Sequence, residues 1–189
     1  MKFPEFTSKR LKLDNLREAD SKKLFGIFAC ESVVKYYDLE KFEQEKQAKD
    51  LIDFFHSRFK SNVGIRWAIR LKDGDELIGT CGFNAWDTRM KSTVVGYEID
   101  PHYWGRGFAS EAVNTIAKAA FLGELPCGSL NRIQADTVPG NFASETVLKK
   151  LGFIEEGVRR QAGYWKNAYH DLKCFGLLKE DFAFHQMDR

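Results

Sequence analysis

Long apolar runs are missing from this chain. No stretch approaches the ~18 residues of a membrane span, and the amino terminus, carrying Lys2, Glu5, Lys9 and Arg10, has no apolar segment of signal-peptide length. Neither a membrane protein nor an exported one is expected, which places the protein in the cytoplasm. Charge of one sign is scarce as well: the formal net charge is +2 and the basic residues are spread along the chain, so no nucleic-acid partner is implied. The four cysteines, Cys30, Cys81, Cys127 and Cys174, lie far apart without C-x-x-C spacing. That excludes the usual zinc and redox patterns, no metal site is expected, and the thiols read as buried or inert. A long low-complexity linker is absent too.

What is present is enough for one substantial core. The 189 residues are 43% hydrophobic and 14% aromatic, and the length suits a single domain spanning 1–189. The pattern predicts a short strand at Leu11 to Leu13, a helix from Arg17 to Ala29, and a longer amphipathic helix from Phe42 to Phe59 with Leu51, Phe54, Phe55 and Phe59 near one face. Gly64 to Leu71 and Glu76 to Phe83 alternate around the turn Lys72-Asp73-Gly74-Asp75, predicting a hairpin, and Ser92 to Asp100 returns as a third strand. A helix over Ala109 to Leu122, strands at Asn131 to Val138, Phe153 to Glu156 and Tyr169 to Leu178, and a helix starting at Asn141 complete an α+β arrangement with an antiparallel-rich sheet.

The most informative segment is Gly96 to Val113, GYEIDPHYWGRGFASEAV. Asp100 and Pro101 stop a strand, Gly105 and Gly107 let the backbone turn and approach a ligand, and a helix then begins. The first four N–H groups of a helix are unpaired and its dipole is positive at that end, so a pyrophosphate can be held there by backbone donors. A dinucleotide-binding turn would require glycine where Ser110 stands and would sit in the first unit of a parallel sheet, and this one does neither.

The segment His102-Tyr103-Trp104-Gly105-Arg106-Gly107 resembles the acyl-CoA loop of the GNAT N-acetyltransferase superfamily, Gln/Arg-x-x-Gly-x-Gly/Ala, with His102 as its departure. A second block, Asn141-Phe142-Ala143-Ser144 followed by Lys150-Leu151-Gly152-Phe153, is similar to that superfamily's N-x-x-S and K-x-G-F patterns. The aromatic pair Tyr103-Trp104 and the segments Thr7 to Leu13 and Tyr169 to Leu178 resemble the RimJ/RimL-like branch, the N-terminal acetyltransferases of ribosomal proteins. The resemblance covers nearly all of the chain and is weakest between Ala29 and Asn62. It implies a central, mostly antiparallel sheet flanked by helices, in which the strands ending near Asp100 and Val138 splay apart around acetyl-CoA. It also implies a cofactor site made of Ile99, Gly105, Arg106, Gly107, Phe108, Ala109, Ser110, Asn141 and Ser144.

The chemistry implied is direct attack of a primary amine on the bound thioester, without an acyl-enzyme. Glu98, alternating with Val94 and Gly96 on the strand, is the candidate base, either directly or through water. Backbone N–H groups near Ile99 are placed to polarise the thioester oxygen. Ser144 is the candidate acid for the thiolate, or a hydrogen-bond partner of the sulfur or pantetheine. An α-amine of pKa near 8 is about a tenth neutral at pH 7, whereas a lysine near 10.4 is less than about a thousandth neutral, so an N-terminal acceptor demands less of the enzyme. A protein N-terminus is the first choice of acceptor. A polyamine, amino acid or amino-bearing antibiotic or toxin is the second, favoured if Glu40, Glu43, Glu45 or Asp87 faces the cleft. A silent acyl-CoA-binding protein is the rival from another class, and an NAD-binding oxidoreductase a remote third. Some relatives dimerise, so monomer and homodimer both stay open. His170-Asp171, neighbours on a strand, point to opposite faces and do not make a catalytic pair, and His56 reads as a satisfied surface or core group.

Overall fold

A computed structural model describes residues 2–182. Its eight strands form one sheet, made by β1 (Phe6–Thr7), β2 (Leu11–Asn15), β3 (Ile65–Leu71), β4 (Leu77–Asp87), β5 (Ser92–Ile99), β6 (Arg132–Thr137), β7 (Ile154–Trp165) and β8 (Ala168–Leu178), in the spatial order β1-β2-β3-β4-β5-β6-β8-β7. Every neighbouring pair is antiparallel except β5 and β6, which run parallel and are in register only from Ser92↔Arg132 to Val94↔Gln134. Beyond Val94 the two strands part. The expected splay is there, and it opens a gap that side chains and a ligand can enter from both faces of the sheet.

Each face has its own apolar cluster. Strand alternation sends Val95 and Ile99 to one face, where they meet Val113, Ile116, Ala117 and Ala120 of α4 (Phe108–Leu122) and Leu148 of α5 (Phe142–Lys150). The alanines of α4 let its backbone approach the sheet closely. On the other face α1 (Ser21–Phe28), α2 (Glu31–Val34) and α3 (Glu45–Lys60) bury Leu24, Phe28, Val34, Phe42 and Ile52. A fully buried side chain of this kind contributes roughly 1.5–3 kcal/mol.

Several boundaries differ from the sequence pattern. The first helix opens as a 3-10 turn over Glu18–Asp20. α3 starts at Glu45, because the Gln47 side chain accepts from the Glu43 and Gln44 N–H groups and closes its first turn. α2 and the two-residue β1 carried too little periodicity to be expected. The largest difference is β7, which continues to Trp165 as an exposed hairpin arm without an apolar/polar alternation. Lys166 and Asn167, both left-handed, turn it into β8, and Lys166 Nζ donates to the Val34 carbonyl at 2.7 Å, leaning the hairpin tip on α2. No helix among the described residues is long and apolar enough to cross a membrane.

A buried ion cluster joins the sheet to the start of the helical layer. Arg70, 1% exposed, donates through Nε to Asp14 at 2.8 Å and through Nη2 to Asp20 at 2.7 Å, tying β2, β3 and the turn before α1 together. Replacing Arg70 with alanine leaves buried Asp20 without its ion-pair partner and buried Asp14 with Lys12 and Arg17 alone, and is expected to destabilise the fold by about 3–5 kcal/mol, measured by urea denaturation.

Candidate functional site

The loop between β5 and α4 is built as its glycines suggested. Asp100 receives the His102 N–H at 3.0 Å and caps a 3-10 turn over Pro101–Tyr103, and the Trp104 indole donates to the Ile99 carbonyl at 2.6 Å, folding the loop back on the strand end. Gly105 and Gly107 then take φ of +74° and +76°, left-handed values that strain any side-chain-bearing residue. The first intrahelical bond of α4 runs from the Glu111 N–H to the Gly107 carbonyl. The N–H groups of Phe108, Ala109 and Ser110 precede it and have no acceptor within the helix.

This loop is pinned from behind. Glu111 accepts from the Ser8 hydroxyl at 2.7 Å and from the Arg10 backbone and side chain, each at 2.7 Å, while Arg10 Nη1 donates to the Arg106 carbonyl at 2.9 Å. Burial alone would raise the Glu111 carboxyl, and these bonds outweigh it, holding the group below the usual carboxylate range. The Arg10 guanidinium also lies over the Phe108 ring, 4.4 Å from its centroid. His102, the departure from the loop pattern, turns its Nδ1 to Asp100 at 2.8 Å.

A cleft of about 680 Å³ runs from this loop past the end of β5, between α5 and the segment at α2. Of the residues singled out from the sequence, Glu98, Ile99, Gly105, Gly107, Phe108, Ala109, Ser110, Asn141 and Ser144 line it; Arg106 does not, its guanidinium lying 5.5 Å from the Tyr103 ring centroid. The Asp100 N–H donates to Ile78 of β4 at 2.8 Å, and because successive strand N–H groups alternate in direction, that of Ile99 points away from β4, toward the gap. Asn141 caps α5, accepting the Ser144 N–H at 3.3 Å. Left-handed Gly152 closes the same helix at its far end.

Four residues, Tyr97, Arg66, Thr80 and Tyr37, escaped the sequence reading. Tyr97 stands on the face opposite Glu98, and its hydroxyl lies 2.8 Å from Ser144 Oγ; burial pushes its phenol up to about 12. Glu98 is buried and ion-paired with Arg66, and it also accepts from the Thr80 hydroxyl and, at 3.1 Å, from Tyr37. Arg66 donates in turn to the Tyr37 hydroxyl at 3.1 Å. Nothing in the linear sequence could pair Arg66 with Glu98; strand register does it, since β3 and β5 flank β4 with Gly82 between Arg66 and Gly96.

The remaining polar candidates resolve into ordinary structure. His56 Nε2 bonds the Leu16 carbonyl at 2.9 Å, and His170 stacks on Trp165 with centroids 4.2 Å apart. Glu45 accepts from Ser21, and Asp87 from the backbone of its own turn. Neither these two nor Glu40 and Glu43 lines the cleft. Phe59 packs on Phe3 at 4.9 Å, as a core residue would, while Phe55 stays partly exposed. Cys81 is buried, its thiol pushed up to about 12 by desolvation, but Cys30, bonded to Ser32, is held below the ordinary thiol range.

A family model for the Acetyltransferase (GNAT) domain matches residues 10–154. The chain is 36% identical over 177 residues to the uncharacterized N-acetyltransferase YoaA of Bacillus subtilis (strain 168), covering 94% of this chain and 98% of that protein. To the ribosomal-protein-serine acetyltransferase of Escherichia coli (strain K12) it is 32% identical over 104 residues, 55% of this chain and 56% of that one. Among solved structures, the Microcin C7 self immunity acetyltransferase MccE, in complex with acetyl-CoA and AMP, superposes with a TM-score of 0.80 at 17% identity, covering 90% of this chain and 93% of that chain.

The cradle fits an acyl-CoA pyrophosphate: left-handed glycines, helix N–H groups with no acceptor in their own helix, and no obstruction where a Gly105 side chain would begin. Gly107→Val introduces about 1–2 kcal/mol of backbone strain there and is expected to weaken acetyl-CoA binding by about tenfold, read by calorimetry, with an unchanged far-ultraviolet circular dichroism spectrum.

Proposed function

The chain belongs to the GNAT acetyltransferase family, and on that premise we propose that it transfers the acetyl group of acetyl-CoA to a protein N-terminal α-amine, in the RimJ/RimL-like manner and in a cytoplasmic setting. The observation that carries the choice of acceptor is the state of Glu98. Arg66, Tyr37 and Thr80 all donate to its carboxylate, which leaves about one of its four lone-pair sites for a bridging water and none for direct contact with the amine. An acceptor already partly neutral at pH 7 suits such a site, and a lysine does not. The partial likeness to a ribosomal-protein-serine acetyltransferase supports a protein acceptor and does not set its first residue. A polyamine is disfavoured by Glu40, Glu43, Glu45 and Asp87 all standing away from the cleft.

Acetyl-CoA supplies an activated carbonyl and a thiolate leaving group. Gly105, Gly107 and the N–H groups of Phe108, Ala109 and Ser110 hold its pyrophosphate, with Arg106 contributing its backbone. The Ile99 N–H faces the gap as an oxyanion donor, Asn141 borders the pantetheine arm, and Glu98 takes the amine's proton through water. Ser144 donates to the departing sulfur. Its hydroxyl is free to do so when Tyr97, protonated throughout the working range and 2.8 Å away, is the donor of their shared hydrogen bond.

A peptide with a free α-amine and an internal lysine, offered beside its N-terminally blocked twin, tests the acceptor: mass spectrometry is expected to find acetyl only on the free terminus. Equal acetylation of the blocked peptide would overturn the proposal. For the pair on the far face, Tyr97→Phe and Ser144→Ala are each expected to lower kcat roughly three- to tenfold, the worth of one hydrogen bond, and the double variant to lose no more than the larger single loss. Because Tyr97 loses its proton only as pH rises through about 12, kcat/KM is expected to climb as the amine deprotonates near pH 8 and to stay level to pH 10.

A further inference from the structure

Beside the acyl cleft lies a second cavity of about 340 Å³, near the lower end of the roughly 300–1,000 Å³ usual for ligand sites. It is framed by α3, the segment after α2, and the edges of β3 and β4. Its wall toward the cleft is the network already described: Tyr37 borders both spaces, Arg66 faces this one, and Glu98, ion-paired with Arg66, faces the other. Tyr37, which donates to Glu98 at 3.1 Å, lines both spaces, so an amine at Glu98 lies one side chain away from this cavity.

Half-buried Leu39, Leu51 and Phe55 and half-exposed Phe54 (51%) supply the apolar surface. The two aromatic rings each carry a guanidinium, Arg58 at 5.4 Å from the Phe54 centroid and Arg66 at 5.2 Å from that of Phe55. A further cation gains nothing from rings so occupied. Among the described residues, Asp38 is the one carboxylate lining the cavity, and it is solvent-exposed. An apolar group entering here, in contrast, removes Phe54 and Leu51 from water.

Resting on the α-amine reading above, we infer that this cavity receives the first side chain of the acceptor, and that the preferred substrate is a polypeptide beginning with a large apolar residue. A small first residue leaves the cavity to water, and a polycation meets Arg58 and Arg66.

The test uses peptides identical except for a first residue of Leu, Phe, Ser or Ala, with spermidine alongside, each assayed for thiol release from acetyl-CoA. Leu and Phe are expected to exceed Ser and Ala in kcat/KM by at least about tenfold, the scale on which apolar pockets discriminate. Phe54→Ala, a change at an exposed position, is expected to narrow that ratio several-fold, and Leu51→Trp, which fills the cavity, to abolish it; acetyl-CoA binding by calorimetry verifies that both variants are folded. Ser or Ala peptides turned over as well as Leu and Phe would overturn this inference and leave the α-amine reading intact. Transfer to spermidine alone, or to no peptide, would overturn both.

Discussion

The parting of β5 from β6 is the constraint on which the rest of the molecule depends. Two parallel strands paired over only three residue positions leave the end of β5 with hydrogen-bonding groups that no protein strand satisfies, a condition normally costly in a sheet interior. Here the cost is contained by what surrounds the gap. The Trp104 indole takes the Ile99 carbonyl, and the cleft keeps the remaining edge open to solvent or ligand. The gap also makes neighbouring residues on opposite faces, Tyr97 and Glu98, border a single space. An intact sheet would separate them.

Holding a helix N-terminus at such a gap requires an anchor outside it. The Ser8, Arg10 and Glu111 cluster supplies one, because it bonds the first turn of α4 to the segment entering β2, on the far side of the glycine loop. Three donors converge on one carboxylate, and the loop between them has little freedom left despite its two glycines. Conformational permissiveness at Gly105 and Gly107 thus serves shape, and rigidity is supplied by residues about a hundred positions earlier in the chain.

How much of this could be read from the sequence follows from what kind of interaction each part uses. The glycine loop, the Asn141 cap and the closing Gly152 are legible because backbone geometry restricts residue type: few residues take positive φ, and few cap a helix. β3, β4 and β5 were visible through alternation. Of β7 only the start was legible, in the strand expected at Phe153 to Glu156; its extension to Trp165 was not, since an arm exposed on both faces has no reason to alternate, and its turn uses Lys166-Asn167, which lacks the glycine that marks most such turns. The Arg66 and Glu98 pair was invisible because it depends on the register of three strands. Tyr97 belongs to no motif; as the strand neighbour of Glu98 it lies on the opposite face, and only the fold brings it to Ser144.

The same distinction separates the donor side of the cleft from the acceptor side. A pyrophosphate is recognised by backbone N–H groups, and the glycines that expose them stand out in any sequence. The cavity proposed for an acceptor's side chain is lined by Leu51, Phe54 and Phe55, spaced on α3 as core residues are spaced, so the pattern that builds a pocket is the pattern that builds a core. Only the fold distinguishes them: Ile52 and Ala48 of the same helix are fully covered, whereas Phe54 is half exposed above a cavity. Chains sharing this sheet and this glycine loop can therefore diverge in acceptor through α3 and the segment before it, the region where the resemblance to the family is weakest, with the acetyl-CoA end left untouched.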